Sequence, residues 1–166
     1  MDKKSITCCF TGHRPQKLPW RQNENDPRCL ALKEELEARL EGIYLSGCSR
    51  FLCGMAIGCD MYFAEAVLKL KERFPEVTLE AYVPCADQPA KWHVADKRRY
   101  EDLLSRCDRV NVLQEHYSAD CMQRRNRRMV DESSVLLACY DGYPGGTMTT
   151  IVYAERNDVK VIMIEI

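Results

Sequence analysis

The feature that most constrains this sequence is a regular alternation between short apolar runs and longer amphipathic segments. The apolar runs, such as residues 6–10 and 159–164, are typical of buried strands. In residues 29–47, apolar positions recur at helical spacing and charged residues occupy the opposite face. Apolar strands that alternate with helices indicate a mainly parallel sheet covered on both faces. We therefore predict a Rossmann-like, doubly wound α/β fold.

The remaining predicted elements continue this rhythm, and we expect residues 1–166 to form a single domain. A cap at Ser118 is predicted to start the fourth helix, which would end near Met129. The other predicted strands are 51–53, 78–83, 109–113 and 134–140. The other predicted helices are 60–73, 91–107 and 147–156.

Charge and hydropathy exclude several classes of protein. The 24 Lys and Arg residues nearly balance the 25 Asp and Glu residues, which gives a formal net charge of −1. We therefore expect nucleic acid to be an unlikely partner and anionic membranes to exert no strong attraction. No apolar run approaches the roughly 20 residues of a membrane-spanning helix, and the first residues lack a signal-peptide pattern. These features predict a cytoplasmic protein.

The ten cysteines do not follow the pattern of a disulfide framework or a metal site. Cys8, Cys9, Cys53 and Cys139 lie within apolar runs, where a free thiol behaves as a small hydrophobic group. The sequence contains no CxxC pair, and no histidine lies at zinc-finger spacing from a cysteine pair. We therefore predict no metal site and no required cofactor.

Three predicted strand-to-helix loops combine glycine with residues that suit a phosphate. The first contains Gly12, His13 and Arg14, and a guanidinium can bind a phosphate or a carboxylate through paired hydrogen bonds. A tight turn with a solvated arginine would have the same sequence. Because loops that follow parallel strands meet at one edge of the sheet, we expect all three loops to lie together.

The second loop contains Gly54 and Gly58 and leads to Asp60 at the start of a helix. The N-terminal N–H groups and the dipole of a helix favour an anion at this position. The pattern is not the GxGxxG fingerprint of dinucleotide-binding proteins. Asp60 suits either a helix cap or an acceptor for a ribose hydroxyl.

The third loop contains Gly145, Gly146 and Thr147 between an apolar strand and a helix, as expected of a phosphate-binding loop. Four arginines crowd the preceding helix, and most of them are expected to be solvated. Arg125 differs because it shares a helical stripe with two methionines, so we predict that it faces the crevice as a counter-charge.

Together, several motifs resemble the YpsA family, and the resemblance spans nearly the whole chain. The motifs are TGHRP at 11–15, GMAIGCD at 54–60, Arg125-Asn126 followed by residues 129–131, and GGT at 145–147. The resemblance implies membership of the SLOG superfamily of Rossmann-like proteins. This superfamily includes LOG-type nucleotide phosphoribohydrolases and DNA-processing protein A.

The LOG-type comparison implies a nucleotide site but leaves catalysis open. LOG-type enzymes place an arginine three residues after one methionine and four before another, and Met122, Arg125 and Met129 match this spacing. Their PGGxGTxxE loop carries a glutamate that acts in glycosidic cleavage, whereas Val152 occupies that position here. If the chain is an enzyme, Arg125 would act with an unrecognised acid. The candidate acids are Asp60, Asp131 and Glu155.

The comparison with DNA-processing protein A implies a different ligand. Residues 54–60 are similar to its GLARGID-like loop, but single-stranded DNA binding requires a basic groove with stacking platforms. After the third predicted strand, Gln88 and Trp92 are candidates to contact a base, although a tryptophan more commonly packs in the core.

These observations predict binding of a nucleotide or a nucleotide-derived phosphorylated ligand at the C-terminal edge of the strands, in a sensor or regulatory role. The alternative is a hydrolase that cleaves an N-glycosidic or phosphate bond. Binding of single-stranded DNA or of a protein partner is the third hypothesis. The superfamily resemblance is also compatible with a homo-oligomer.

Overall fold

The computed structural model describes residues 2–166, which form a six-stranded sheet with helices on both faces. The strands are β1 (Thr7–Thr11), β2 (Arg50–Cys53), β3 (Thr78–Val83), β4 (Arg109–Val112), β5 (Val135–Tyr140) and β6 (Lys160–Glu165). The α-helices are α1 (Pro27–Leu45), α2 (Cys59–Arg73), α3 (Val94–Ser105), α4 (Cys121–Asp131) and α5 (Gly146–Arg156). Short 3₁₀ helices occupy Lys3–Ile6 and Pro15–Lys17. None of the helices in residues 2–166 is both long and apolar enough to cross a membrane.

All strands of the sheet are parallel, and their order is β4-β3-β2-β1-β5-β6. This arrangement confirms the predicted Rossmann-like α/β fold. The chain passes from β1 outwards to β4, then returns to place β5 on the other side of β1. In such sheets a crevice opens outside the carboxyl ends of the two strands at which the order reverses. The fold therefore directs attention to the loops after β1 and β5.

The predicted elements all occur, with differences at their ends. One difference concerns α4, which begins at Cys121 rather than after a cap at Ser118. The Ser118 hydroxyl donates to the Asp120 carboxylate at 2.9 Å, and the residue forms part of a turn before the helix. The predicted cap at Ser118 is therefore wrong. Helix α3 begins three residues later than predicted, because residues 89–92 form a turn.

Each face of the sheet has its own apolar core. On one face, Phe10 stacks on Phe63 of α2 with ring centroids 4.5 Å apart, and Leu36 of α1 packs in the same cluster. On the other face, Cys9 packs in a cluster with Ile151 of α5 and residues of α4. Adjacent strand residues alternate between these clusters because successive side chains point to opposite faces. Burial of each large apolar side chain contributes about 1.5–3 kcal/mol.

The cysteines are free thiols and most of them are buried. Cys8, Cys9, Cys53 and Cys139 have no exposed surface, which confirms that they pack as small hydrophobic groups. Burial raises the pKa of Cys9 to about 12, so this thiol stays protonated near neutral pH.

Candidate functional site

A crevice of about 170 Å³ opens at the C-terminal ends of β1 and β5, where the strand order reverses. The wall combines the loop after β1, the first two turns of α4 and the start of α5. Of the residues predicted from sequence, those that line it are Gly12, His13, Arg14, Asp60, Arg125, Asn126, Gly146 and Thr147.

Arg125 is a buried cation in the wall of this crevice, with 4% of its surface exposed. Its Nη1 group donates to the carbonyl oxygens of Gly54 and Tyr82, and its Nε group donates to Oδ1 of Asn126 at 2.8 Å. Burial lowers the pKa of Arg125, and the nearby Asp60 opposes this effect. The partners of these hydrogen bonds are uncharged, and no carboxylate in residues 2–166 forms an ion pair with Arg125.

Two guanidinium groups converge on the sulfur atom of Met122. Nη2 of Arg14 lies 3.6 Å from this thioether, and Nη2 of Arg125 lies 3.7 Å from it. A thioether is a weak hydrogen-bond acceptor. The two cations also repel each other, since Arg14 contributes to lowering the pKa of Arg125. An anion at this point would bring both arginines a stronger acceptor and relieve the repulsion.

The N-terminus of α5 adds further positive potential to the crevice. Gly145 is the N-cap residue and supplies no side-chain cap, while Gly146 and Thr147 line the crevice. The N–H groups in the first turn of a helix favour anions. A Cβ atom on Gly145 would lie 2.5 Å from Nζ of Lys17, so this ammonium group is close to the same loop.

His13 connects the loops that follow β1 and β5. The imidazole is buried, with Nε2 at 3.1 Å from Oδ1 of Asp141 and Nδ1 at 3.4 Å from Oγ1 of Thr147. Burial lowers the pKa of His13, and the Asp141 carboxylate opposes this effect. The sequence reasoning missed Asp141, although its place directly after β5 was a usable signal.

Asp60 is buried in the wall of the crevice and also fixes the loop before α2. Its carboxylate accepts a hydrogen bond from the Ala56 N–H at 3.0 Å. Burial raises the pKa of Asp60, whereas the Arg125 cation lowers it. Gly58, not Asp60, is the N-cap residue of α2, so the alternative of a helix cap is wrong.

The glycines of the first two loops permit close packing. A Cβ atom on Gly12 would lie 2.6 Å from Cβ of Cys59, and one on Gly54 would lie 2.5 Å from Nη1 of Arg125. Gly58 has a φ of +94° and contacts the backbone of His13. Gly54 and Gly58 therefore lie behind the crevice, where they set the position of Arg125 and the β1 loop.

The candidate base-contacting residues lie in a neighbouring cavity and not in the crevice itself. The Gln88 amide donates from Nε2 to the Met55 carbonyl at 3.2 Å. The Trp92 ring is half-buried and forms an edge contact with Tyr100, with centroids 5.2 Å apart. Met122 lines both the crevice and this cavity, which places the two spaces side by side.

The candidate catalytic acids are widely separated. Glu155 is exposed and lies nine residues after Gly146 on α5, about 14 Å along the helix axis. Val152, at the position of the LOG-type glutamate, is half-buried on the same helix and does not line the crevice. Asp131 accepts a hydrogen bond from the Tyr153 hydroxyl at 2.7 Å, at the far end of α4. Among these candidate acids, only Asp60 lines the crevice.

The chain is a Rossmann-like α/β protein with a crevice at the point where the strand order reverses. A family model described as the YspA SLOG family matches residues 8–165, and the chain belongs to this YpsA family. It is 29% identical to a UPF0398 protein of Bacillus pumilus (strain SAFR-032) over 150 residues, which are 89% of this chain and 80% of that protein. A UPF0398 protein of Bacillus thuringiensis (strain Al Hakam) is 25% identical over 153 residues, covering 91% and 83%. These names state no activity.

Two solved structures share the fold at low sequence identity. DNA processing protein A from Streptococcus pneumoniae matches 96% of this chain and 50% of its own, with a TM-score of 0.64 and 14% identity. The Helicobacter pylori protein, whose structure concerns its single-stranded DNA binding mode, matches 96% of this chain and 65% of its own, with a TM-score of 0.61 and 14% identity. The chain thus spans about half to two thirds of these proteins.

We expected from the net charge that nucleic acid is an unlikely partner, and this expectation is wrong. The Helicobacter pylori protein has this fold and a single-stranded DNA binding mode. A net charge of −1 describes the whole chain, whereas the crevice collects three cations, Arg14, Lys17 and Arg125, against the single carboxylate of Asp60. Local charge, and not the overall balance, decides which anions this surface can bind.

Proposed function

We propose that the crevice binds the phosphate group of a nucleotide or a nucleotide-derived ligand, in a sensor or regulatory role. The observation that carries this proposal is the convergence of Arg14 and Arg125 on the sulfur atom of Met122. Phosphate oxygens accept charge-assisted hydrogen bonds from guanidinium groups, which are about twice as strong as neutral ones.

The buried charge of Arg125 favours an anionic ligand. A charge removed from water is costly unless it is paired. Arg125 has the carbonyls of Gly54 and Tyr82 as acceptors, but Nη2 contacts only a thioether. The nearby Asp60 carboxylate compensates this charge in part but forms no ion pair with it, and a bound phosphate would accept direct charge-assisted hydrogen bonds. Burying this cation is unfavourable, and we interpret the burial as preorganisation of the site for an anion.

The crevice suggests a position for each part of the ligand. The phosphate would lie between the two arginines and the first turn of α5, near Gly146 and Thr147. The Asp60 carboxylate, in the first turn of α2, would accept a hydrogen bond from a ribose hydroxyl. We propose binding without hydrolysis because Val152 occupies the position of the LOG-type glutamate, and neither Glu155 nor Asp131 lines the crevice.

The test is isothermal titration calorimetry with AMP and a panel of nucleotides and ADP-ribose derivatives. Arg14→Gln removes an exposed cation of the crevice without disturbing the core, and Arg125→Gln removes the buried one. A charged hydrogen bond contributes about 1.5–3 kcal/mol, so each variant should bind about 10- to 100-fold more weakly. The matched control is Arg124→Gln, which neutralises an exposed arginine on the same helix.

Two results would contradict the proposal. The first is no binding of any compound in the panel by the wild-type protein. The second is an equal loss of affinity in Arg124→Gln and Arg14→Gln, because a general effect of charge would then explain the data. Release of free base or phosphate during incubation would instead identify the site as that of a hydrolase.

A second candidate ligand is single-stranded DNA, which the shared fold with the Helicobacter pylori protein favours. Its backbone offers the same phosphate chemistry, repeated along the strand. Fluorescence anisotropy with a labelled oligonucleotide would distinguish the sources. A DNA ligand predicts affinity that increases with strand length and falls steeply with salt, and weak competition by AMP. A mononucleotide ligand predicts the reverse preference.

A further inference from the structure

A second cavity, of about 390 Å³, lies beside the phosphate crevice on the same edge of the sheet. Its wall comes from the segment after β3, the segment after β4 and the start of α4. The residues that matter here are Gln88, Trp92, Tyr117 and Met122. We call this space the aromatic cavity. Its position at the C-terminal ends of β3 and β4 makes it continuous with the region where ligands of such sheets bind.

Shared residues connect the aromatic cavity to the crevice. Met122, on which both arginines converge, lines both spaces. Arg14 of the crevice and Trp92 of the aromatic cavity also line a third cavity together. A ligand that places its phosphate between Arg14 and Arg125 can therefore extend past Met122 into the aromatic cavity.

The aromatic cavity offers two rings to a planar group. Tyr117 is 65% exposed, so its ring is accessible to a ligand in the cavity. Trp92 is half-buried, and its contact with Tyr100 at an interplanar angle of 85° fixes its orientation. Stacking of a nucleobase on aromatic side chains is favourable for every base, because each base presents a flat face.

Gln88 adds a polar feature to the same wall. Its Nε2 group donates to the Met55 carbonyl, and this contact fixes the orientation of the amide because a carbonyl can only accept. Its Oε1 atom is buried and accepts no hydrogen bond from the part of the chain that the structure describes. An unsatisfied buried acceptor is unfavourable and favours a donor nearby. An amino or ring N–H group of a base is such a donor.

We infer that the aromatic cavity is a nucleobase subsite, which binds the base of the ligand whose phosphate occupies the crevice. This inference rests on the proposed function and makes it more specific, because it requires a planar nitrogenous ring in the ligand. A phosphorylated sugar without a base would fill the crevice and leave the aromatic cavity unused.

The experiment compares AMP with ribose 5-phosphate, which lacks the base, by calorimetry. The variants are Tyr117→Ala and, as a matched control, Tyr143→Ala, which removes a similarly exposed tyrosine that does not line the aromatic cavity. We expect AMP to bind at least tenfold more tightly than ribose 5-phosphate. Tyr117→Ala should weaken AMP binding about tenfold and leave ribose 5-phosphate binding unchanged. Tyr143→Ala should change neither.

A fluorescence measurement locates the base independently of affinity. The chain has two tryptophans, so Trp20→Phe leaves Trp92 as the source of indole emission. AMP should quench this emission on binding, and ribose 5-phosphate should not.

The outcomes separate the two proposals. Equal affinity for AMP and ribose 5-phosphate, both dependent on Arg14, would overturn the base subsite and retain the phosphate site. A Tyr117→Ala variant that weakens both compounds equally, or the absence of Trp92 quenching by bound AMP, would also overturn the subsite. Failure of both compounds to bind would overturn the proposed function and, with it, this inference.

Discussion

Two buried arginines lie at opposite ends of β2 and have contrasting surroundings. Arg50 begins the strand, at the edge away from the crevice, and has 5% of its surface exposed. Arg125, equally buried, reaches the other end of the strand and donates to the carbonyl of Gly54. The two cations are therefore buried to the same extent and lie at the two ends of the same strand, but their hydrogen-bond partners differ.

Carboxylates surround Arg50. Its Nε and Nη2 groups donate to the two oxygens of Glu80 at 2.6 and 3.0 Å, and Nη2 also donates to Glu132 at 3.3 Å. Burial opposes its charge, but Glu80 raises the pKa of Arg50 above its ordinary value. For Arg125, burial is the largest effect and the pKa is lowered. Charge compensation is complete at Arg50 and incomplete at Arg125.

This difference separates a structural cation from one that is available to a ligand. Glu80 and Glu132 form ion pairs with Arg50 at one end of β2. At the other end, no carboxylate in residues 2–166 forms an ion pair with Arg125. Incomplete compensation occurs at the edge where the strand order reverses and where the crevice opens.

The largest effect is expected for Arg50→Met. Loss of this cation leaves the Glu80 carboxylate buried without its partner, which typically destabilises a protein by about 3–5 kcal/mol. Urea denaturation would measure the free energy of unfolding. The double variant with Glu80→Leu should recover most of the loss, because the remaining charge is removed. A loss of unfolding free energy below about 1 kcal/mol in the single variant would show that the Glu80 carboxylate does not depend on Arg50 for charge compensation.

Gly54→Ala should displace Arg125 without changing its charge. The added Cβ atom would lie 2.5 Å from Nη1 and Cζ of the guanidinium, and such overpacking costs about 1–3 kcal/mol. We expect AMP affinity to fall as in Arg125→Gln. The control is Gly42→Ala in α1, where nothing lies within 4 Å of the added atom and stability should rise slightly. Unchanged AMP affinity in Gly54→Ala would contradict the role given to Arg125.

Arg125→Met should cost less stability than Arg50→Met. The variant deprives the Gly54 and Tyr82 carbonyls of a donor, which costs about 1–3 kcal/mol, but it also removes a buried charge that lacks an ion pair. We expect a net loss below about 2 kcal/mol in urea denaturation, together with the loss of any stabilisation by AMP. A loss of stability as large as that of Arg50→Met would contradict the difference in charge compensation between the two arginines.

A smaller effect should appear between pH 7 and pH 5 through His13. Burial lowers the pKa of His13 below its ordinary value of 6.5, so the unfolded chain takes up this proton first. Stability from this residue is therefore complete above pH 6.5 and decreases as the pH falls towards the lower pKa of the folded state. His13→Gln should flatten this dependence in thermal unfolding. An equally steep profile in the variant would assign the effect to other groups.

The smallest effect is expected for Arg124→Gln. This arginine is exposed and forms a surface ion pair with Asp120 at 3.6 Å, one turn away. Such pairs contribute about 0.3–0.5 kcal/mol. Stability and AMP affinity should therefore stay within experimental error of the wild type, and a tenfold loss of affinity would show that Arg125 is not distinctive.

The sequence predicted the fold well because its physical basis is local. Strands covered on both faces must be apolar, and helices against a sheet must be amphipathic, so both patterns can be recognised without knowledge of tertiary contacts. The stripe that Arg125 shares with two methionines likewise indicated that this arginine faces the crevice and not solvent. The exact start of α4 was not predictable, because Ser118 suits a turn as well as a cap.

The internal arrangement of the site required the structure. Gly54 was predicted to approach a phosphate, but its missing side chain makes room for Arg125, which is 71 residues away. The contact of His13 with Asp141 spans 128 residues. Such long-range pairs leave no periodic signal. Net charge was misleading for a related reason, since it averages over surfaces that the fold separates.

Phosphate binding by the two arginines is tested most directly by soaking crystals of the protein with AMP and determining the structure. We expect phosphate density between Arg14 and Arg125, against the first turn of α5 at Gly146 and Thr147, with the Met122 sulfur displaced from the two guanidinium groups. Density for AMP away from these arginines, or an Asp60 carboxylate that moves to pair with Arg125 while AMP is absent from the crevice, would contradict this expectation.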